Sequence, residues 1–367
     1  MYSQNDLDEA VAAGAISADQ ANALRAFVDR QRSTPAVDEE QFRLITGFND
    51  IFVSIAAAIL LFAVGFIGQT IGQNLGLVIE ADGPSPIAPL FVAATAWGLA
   101  LFFTAKRRMA LPSILLLLAF VISVFAAVGF SLVFAIGEPP VEQEALFAGI
   151  VASASGAVAA AAAWVHWKRF RVPITVAAGA LAVAAIAVGL LIAVLGEVDP
   201  YKNLLLGFVL LLGVGVFLFA MRWDSSDPAR VTRRSDVAFW LHLLAAPMIV
   251  HPVFTLLGLN DNSATIGEGF VVIALYVAIG LTALAIDRRA LLVSALAYVL
   301  YALNELFRQF GAVELNVALT ALVIGSALLL LSAFWHQARV MVVQPLPDGL
   351  KAKLPLVNRV ASPAPAA

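Results

Sequence analysis

Ser294, Tyr298, Tyr301, Glu305 and Arg308 follow one another in ALLVSALAYVLYALNELFRQF at steps of four, three, four and three. At about 100° per residue those steps keep all five on one face of a helix. Two phenols, a carboxylate and a guanidinium on one stripe are the groups of a polar solute site or an ion pathway. A second stretch, FWLHLLAAPMIVHPVF (residues 239–254), adds His242, His251, Pro247 and Pro252. Each proline lacks an amide hydrogen, so the carbonyls of Leu243 and Met248 lose their usual helical donors. Breaks of this kind often line cavities. His251 is the side chain here whose charge changes near neutral pH. His242 and His251 are nine residues apart, about half a turn out of phase, so they form no i,i+4 metal pair and no metal is expected.

These residues sit in chain built for lipid. Of the 367 residues, 61% are hydrophobic and 13% are charged, and the mean hydropathy is +0.92. Soluble domains are about 45–50% apolar and about 25% charged. A hydrocarbon core of roughly 30 Å takes about 20 apolar residues per helix. Ten stretches meet that need, at about 48–70, 87–105, 110–136, 145–166, 172–195, 203–221, 237–258, 266–286, 290–310 and 314–335. Their runs are long and continuous, which points to helices and not to the alternating strands of a barrel. The expected fold is an all-α, polytopic transmembrane helical bundle of about ten spans.

Charge gives the orientation. Twenty of the 22 Lys and Arg fall before span one, after the even-numbered spans, or in the tail, all on one side of a ten-span arrangement; Lys202 and Arg308 are the exceptions. The opposite loops carry Glu80, Asp82, Glu138, Glu142, Glu197, Asp199 and Asp261. Positive loops stay in the cytoplasm, so both termini are expected there. Trp164, Trp167, Trp223, Trp240 and Trp335 fall at the same inner ends and read as an interfacial belt, with His166 and His336 beside them.

On this frame, span nine runs outward and places Tyr301 near the midplane, with Glu305 and His251 at similar depth in the outer half. A charge in hydrocarbon costs at least about 2.5–3.5 kcal/mol, so the striped face should point into the bundle. The expectation is an outward-facing polar cavity between spans seven and nine, walled by His251, Tyr298, Tyr301, Glu305 and Arg308. The competing reading is an internal Glu305–Arg308 pair, with His251 bonded to a carbonyl, that only holds helices together. Gly68, Gly72 and Gly76 form a small-xxx-small run near the outer end of span one, and VASASGAVAAAAAW gives span four a smooth face. Both suit close helix packing.

Residues 1–46 read as a cytoplasmic helical hairpin. LDEAVAAG stops at Gly14, and Ser17 and Gln20 have capping-box spacing at the restart. Residues 47–338 form the membrane domain, and 339–367 a Pro/Ala-rich cytoplasmic tail expected to be largely disordered. GAISADQANALRAF ahead of FRLITGFNDIFVSIAAAILLFAVGFIG resembles bacterial predicted membrane proteins of domain-of-unknown-function family 2157. The resemblance covers the hairpin and first span. It implies an inner-membrane protein and supplies no catalytic residues.

The chain has no cysteine, which removes disulfides and thiolate sites. It also lacks a phosphate-binding P-loop, a G-x-S-x-G elbow and an H-E-x-x-H pair. No enzyme activity, cofactor or nucleic-acid partner is expected; the lipid bilayer is the expected surrounding. Two functions remain open: transport or binding of a small solute through the polar cavity, and membrane assembly or regulation through a protein partner of the hairpin.

Overall fold

A computed structural model describes residues 11–24, 48–79, 83–137, 139–228, 230, 232–258, 266–309 and 316–357. The chain divides into two compact units, Met1–Gln41 and Phe42–Ala367. In the described part of the first, a helical turn ends at Gly14, left-handed at φ 70°. The next helix opens on a reciprocal capping box: Ser17 N–H donates to Gln20 Oε1 (2.9 Å) and Gln20 N–H to Ser17 Oγ (3.1 Å). Each side chain meets an amide that the first helical turn leaves without a partner.

The second unit is all helix among the described residues. Its long helices are α1 (Phe48–Asn74), α2 (Ile87–Phe103), α3 (Ala110–Ile136), α4 (Glu144–Phe170), α5 (Ile174–Leu195), α6 (Lys202–Ser225), α7 (Arg233–Leu256), α8 (Ile266–Ile286), α9 (Ala290–Gln309) and α10 (Asn316–Ala333). Two shorter ones follow, α11 (Trp335–Val343) and α12 (Asp348–Lys351). Each of the ten apolar stretches thus holds one helix. Six of these, α1 and α3 to α7, are long and apolar enough to cross a membrane, or seven if α10 and α11, bent by 76° at their junction, count as one span. The protein therefore carries multi-pass membrane helices. At 17 residues α2 is about 25 Å long, short of the ~30 Å core.

The three most extensive packings are hairpins closed on the side of the basic loops, α4 with α5, α6 with α7 and α2 with α3, and α8 with α9 forms a fourth hairpin closed on that side. Among the described residues, each closing loop contains one non-glycine residue in the left-handed region: Arg108 (φ 53°), Arg171 (57°), Arg230 (53°) and Asp287 (57°). An L-residue there costs on the order of 1 kcal/mol, so the surroundings must hold it.

Close approach depends on missing side chains. Between α4 and α5, a Cβ at Gly149 would lie 2.5 Å from the Ala193 amide nitrogen, and one at Gly189 would lie 2.7 Å from the Gly149 carbonyl oxygen. The Ser153 hydroxyl, 2.7 Å from Gly149 O in its own helix, also reaches Ile186 O across the same seam (3.2 Å), sharing its one hydrogen between them. On α1, Gly68 faces the backbone of Ala88 and Gly72 faces Ser85, at the start of α2. Gly76 does something different: it lies beyond α1 at φ 68° with open space around it, and reverses the chain.

The hub is α7. Val250 and Phe254 pack with α8, α9 and α10; Ala246 packs with the α8–α9 turn and Trp335; Val237 and Leu241 pack with α5 and α6. The helix runs unbroken through Pro247 and Pro252. The Met248 carbonyl, which Pro252 leaves without its usual donor, lies against Gly213 of α6, where a Cβ would come within 2.9 Å of it.

Candidate functional site

Polar side chains gather at both ends of α7. At its first turns, Asp224 from the last turn of α6 is 1% exposed. Its Oδ1 accepts from Arg288 Nη2 at 2.5 Å, and its Oδ2 accepts from Arg288 Nε at 3.3 Å. The same Oδ2 lies 2.9 Å from Nε2 of His242, which is wholly buried. Arg288 Nη2 also donates to the Ser235 carbonyl (3.1 Å). His242 Nδ1 is buried with no partner among the described residues. The arrangement fits Nε2–H donating to the carboxylate while Nδ1 keeps its lone pair. A doubly protonated ring would bury an N–H with nothing to accept it.

Asp287 is the neighbouring centre. Arg230 Nη1 donates to its Oδ2 (2.8 Å), and Arg230 Nη2 donates to the carbonyls of Ile286 (2.9 Å) and Asp287 (3.1 Å). Two left-handed loop residues thus hold each other. Trp335 Nε1–H donates to Asp287 Oδ1 at 2.7 Å, and Arg339 Nε stands 3.8 Å from the same oxygen. Arg339, 1% exposed, donates onward to the carbonyls of Pro355 (2.6 Å) and Leu356 (3.1 Å). Leu356 N–H in turn donates to Pro228 O (3.3 Å). Within the α6–α7 loop, Asp227 Oδ2 accepts from Thr232 N–H (2.9 Å) and Oγ1–H (2.7 Å), and Thr232 caps α7. Four segments distant in sequence are tied by these bonds.

Burial alone would push the Asp287 carboxyl up. The guanidinium groups of Arg230 and Arg339, the Trp335 N–H and Arg288 outweigh burial and hold it below its ordinary 3.8. A carboxyl lowered on folding stabilises the fold above its unfolded value, and that contribution is lost as pH falls through the folded value. Wild type should therefore lose stability in an acid titration of its melting temperature, and Asp287→Asn should show a flatter acid limb from a lower starting point. Parallel curves for the two proteins would remove this carboxylate from the acid response.

At the other end of α7, Nδ1 of His251 lies 2.7 Å from the Tyr298 hydroxyl of α9. The Tyr298 ring stacks at 4.4 Å on Phe254. His251 is exposed and Tyr298 half-buried. Two of the five residues nominated from sequence are thereby brought together. The side chains of Tyr301, Glu305 and Arg308 lie outside the described residues, as does that of Ser294. The face of α9 turned to the core is the adjacent apolar one, Ala295, Val299 and Leu303. Tyr298, on the neighbouring polar stripe, packs half-buried against the edge of that core.

Two residues assigned to the interface, His166 and Trp335, are buried inside the bundle. His166 is 1% exposed, within 4.6–6.0 Å of the rings of Phe170, Phe120 and Trp97, and its Nδ1 is 3.3 Å from Thr175 Oγ1. Trp335 is buried on Asp287, and Trp240 packs between α5 and α7. Trp164 is 62% exposed, with Lys168 Nζ 5.3 Å from its ring centre. A tryptophan at a helix end can turn to the bundle or to lipid, and spacing alone does not choose. No family model, no curated protein and no solved structure matches the chain.

Proposed function

We propose that this is a ten-span protein of the bacterial inner membrane, of the kind represented by domain-of-unknown-function family 2157. In this reading both termini are cytoplasmic, and a small polar solute is bound from the far side in the α7–α9 seam. The supporting observation is the contrast along α7. At the basic end His242 is sealed in an ion-pair network, while nine residues on His251 is exposed and bonded to Tyr298. An exposed imidazole is costly against hydrocarbon and suits a watered recess. Tyr301, Glu305 and Arg308, further along the same stripe of α9, would complete the recess, and the buried network would close the opposite side. Transport requires that network to open; binding does not.

The absence of native cysteine makes the test direct. Tyr298→Cys should react in intact cells with a membrane-impermeant maleimide, while Val299→Cys, at the same level but 1% exposed, should not. Silence at both positions would sink the watered recess. The second reading, assembly or regulation through the N-terminal hairpin, would then lead, favoured by the separation of Met1–Gln41 as its own compact unit.

A further inference from the structure

A groove of about 460 Å³ opens between α3, α4, α5 and α7. Its lining is apolar: Leu118 and Ile122 from α3, Ala178 and Leu181 from α5, Trp240 and Pro247 from α7, with smaller neighbours between them. Along α5 it runs from Ile174, the first residue of the helix, to Ala185. That is about 16 Å at 1.5 Å per residue, close to one leaflet's share of a ~30 Å core. The groove therefore lies in the half nearer the basic end: it reaches that end along α5, while on α3 and α7 its lining begins at Leu118 and Trp240, about two turns in.

Its open end is rimmed by cations. Arg171 lies one turn before Ile174, and its guanidinium sits 5.6 Å from the ring centre of Trp167, which packs in one cluster with Trp240 and Ala177. Lys168 and Arg169 are exposed just ahead of it. On α7, Arg233 shares a face with Trp240, seven residues on. Asp236, three residues on from Arg233, is an acid on which the charges of Arg288 and Arg233 both act. The starts of α3, α5 and α7 and the end of α4 lie at this end, so the helix dipoles partly cancel and the side-chain cations set the sign of the field.

We propose that this groove holds one acyl chain of an anionic phospholipid from the leaflet on the basic side, with the headgroup phosphate against Arg171, Lys168 and Arg169. The match is threefold: an apolar lining, the length of one leaflet, and positive charge at the end where a headgroup would stand. A zwitterionic lipid satisfies the first two but carries no net charge for the rim. The site is separate from the α7–α9 seam and stands whether or not a solute binds there.

The test is native mass spectrometry of the full chain in detergent, with phosphatidylglycerol or phosphatidylcholine of equal chain length added. Wild type should retain one phosphatidylglycerol with a preference of roughly tenfold over phosphatidylcholine, as a few near-surface cations supply. Lys168→Gln/Arg169→Gln/Arg171→Gln changes exposed side chains only and should erase the preference while leaving lipid retention. Ala178→Phe/Ala185→Phe fills the groove and should lose the bound lipid of either kind. Equal retention of both lipids by wild type would overturn the proposal, as would unchanged retention by the filled variant. A second copy of the chain, seen as a dimer that the filled variant abolishes, would also overturn it.

Discussion

Replacing Asp224 with leucine should lower the stability of the folded bundle by about 3–5 kcal/mol, the range for removing one partner of a buried ion pair. The loss arises less from the missing attraction than from what remains. Arg288, 2% exposed, would keep its charge without the carboxylate that accepts its hydrogen bonds, and the His242 Nε2–H would lose its acceptor. Adding Arg288→Met should recover most of the loss, because an apolar pair of similar volume restores packing without a stranded charge. The residue left over should reflect His242, at about 1–3 kcal/mol for a buried group without its bond. Unfolding of detergent-solubilised protein, followed by tryptophan fluorescence, compares the three chains. If Asp224→Leu alone melts with wild type, the network carries no stability. If the double variant melts no higher than the single, stranded charge is the wrong explanation.

Gly149→Val should be the other severe substitution. The atoms its side chain would enter belong to the backbone of α5 at Gly189 and Ala193, which cannot rotate away as a side chain can. Helices α4 and α5 would have to separate, and the Ser153–Ile186 bond would stretch with them. A cost at or above the upper end of the ~1–3 kcal/mol typical of overpacking is expected. Gly207→Ala is the control, since nothing lies within 4 Å of a Cβ there; a shift within about 0.5 kcal/mol is expected. The same melting assay reads both. Equal shifts would mean that the α4–α5 contact adapts more readily than its geometry implies.

Helix positions were legible because each needs only a run of apolar residues, and each of the ten runs holds one helix. The smooth face of span four was legible for the same reason: Ser153 and Gly156 in VASASGAVAAAAAW recur at helical spacing, and Gly149, outside that stretch, extends the same face. Azimuth was not. Level along the membrane follows from counting residues, whereas which neighbour a face meets depends on tertiary packing. Hence Tyr298 was found and its flanking position beside the Ala295–Val299–Leu303 stripe was not. The buried network was missed for another reason. Arg230, Arg288 and Arg339 read from sequence as members of positive loops, and neither Asp224 nor Asp287 was singled out. A signal was present nonetheless. The loops around 106–108 and 168–171 hold basic residues without acids, while those around 222–236 and 287–289 interleave both signs. Acids interleaved with arginines beside apolar helix ends are candidates for ion pairing, and Asp224 and Asp287 are both paired inside the fold.

The reach of Arg339 to the carbonyls of Pro355 and Leu356 has a consequence for the order of biosynthesis. Asp224, Arg230, Asp287 and Arg288 leave the ribosome well before Arg339, and Arg339 before the two carbonyls that receive it. The early pairs can form while the remaining chain is still being made, but Asp287 gains its second guanidinium only when α11 is present. Arg339 in turn stays hydrated until residues 355–356 fold back over it. Those carbonyls belong to the main chain, so side-chain identity at 355 and 356 matters less than that the segment has been synthesised. The final desolvation of the basic end is thus timed to nascent-chain length, and the helices inserted earlier are sealed by a strap that arrives after them.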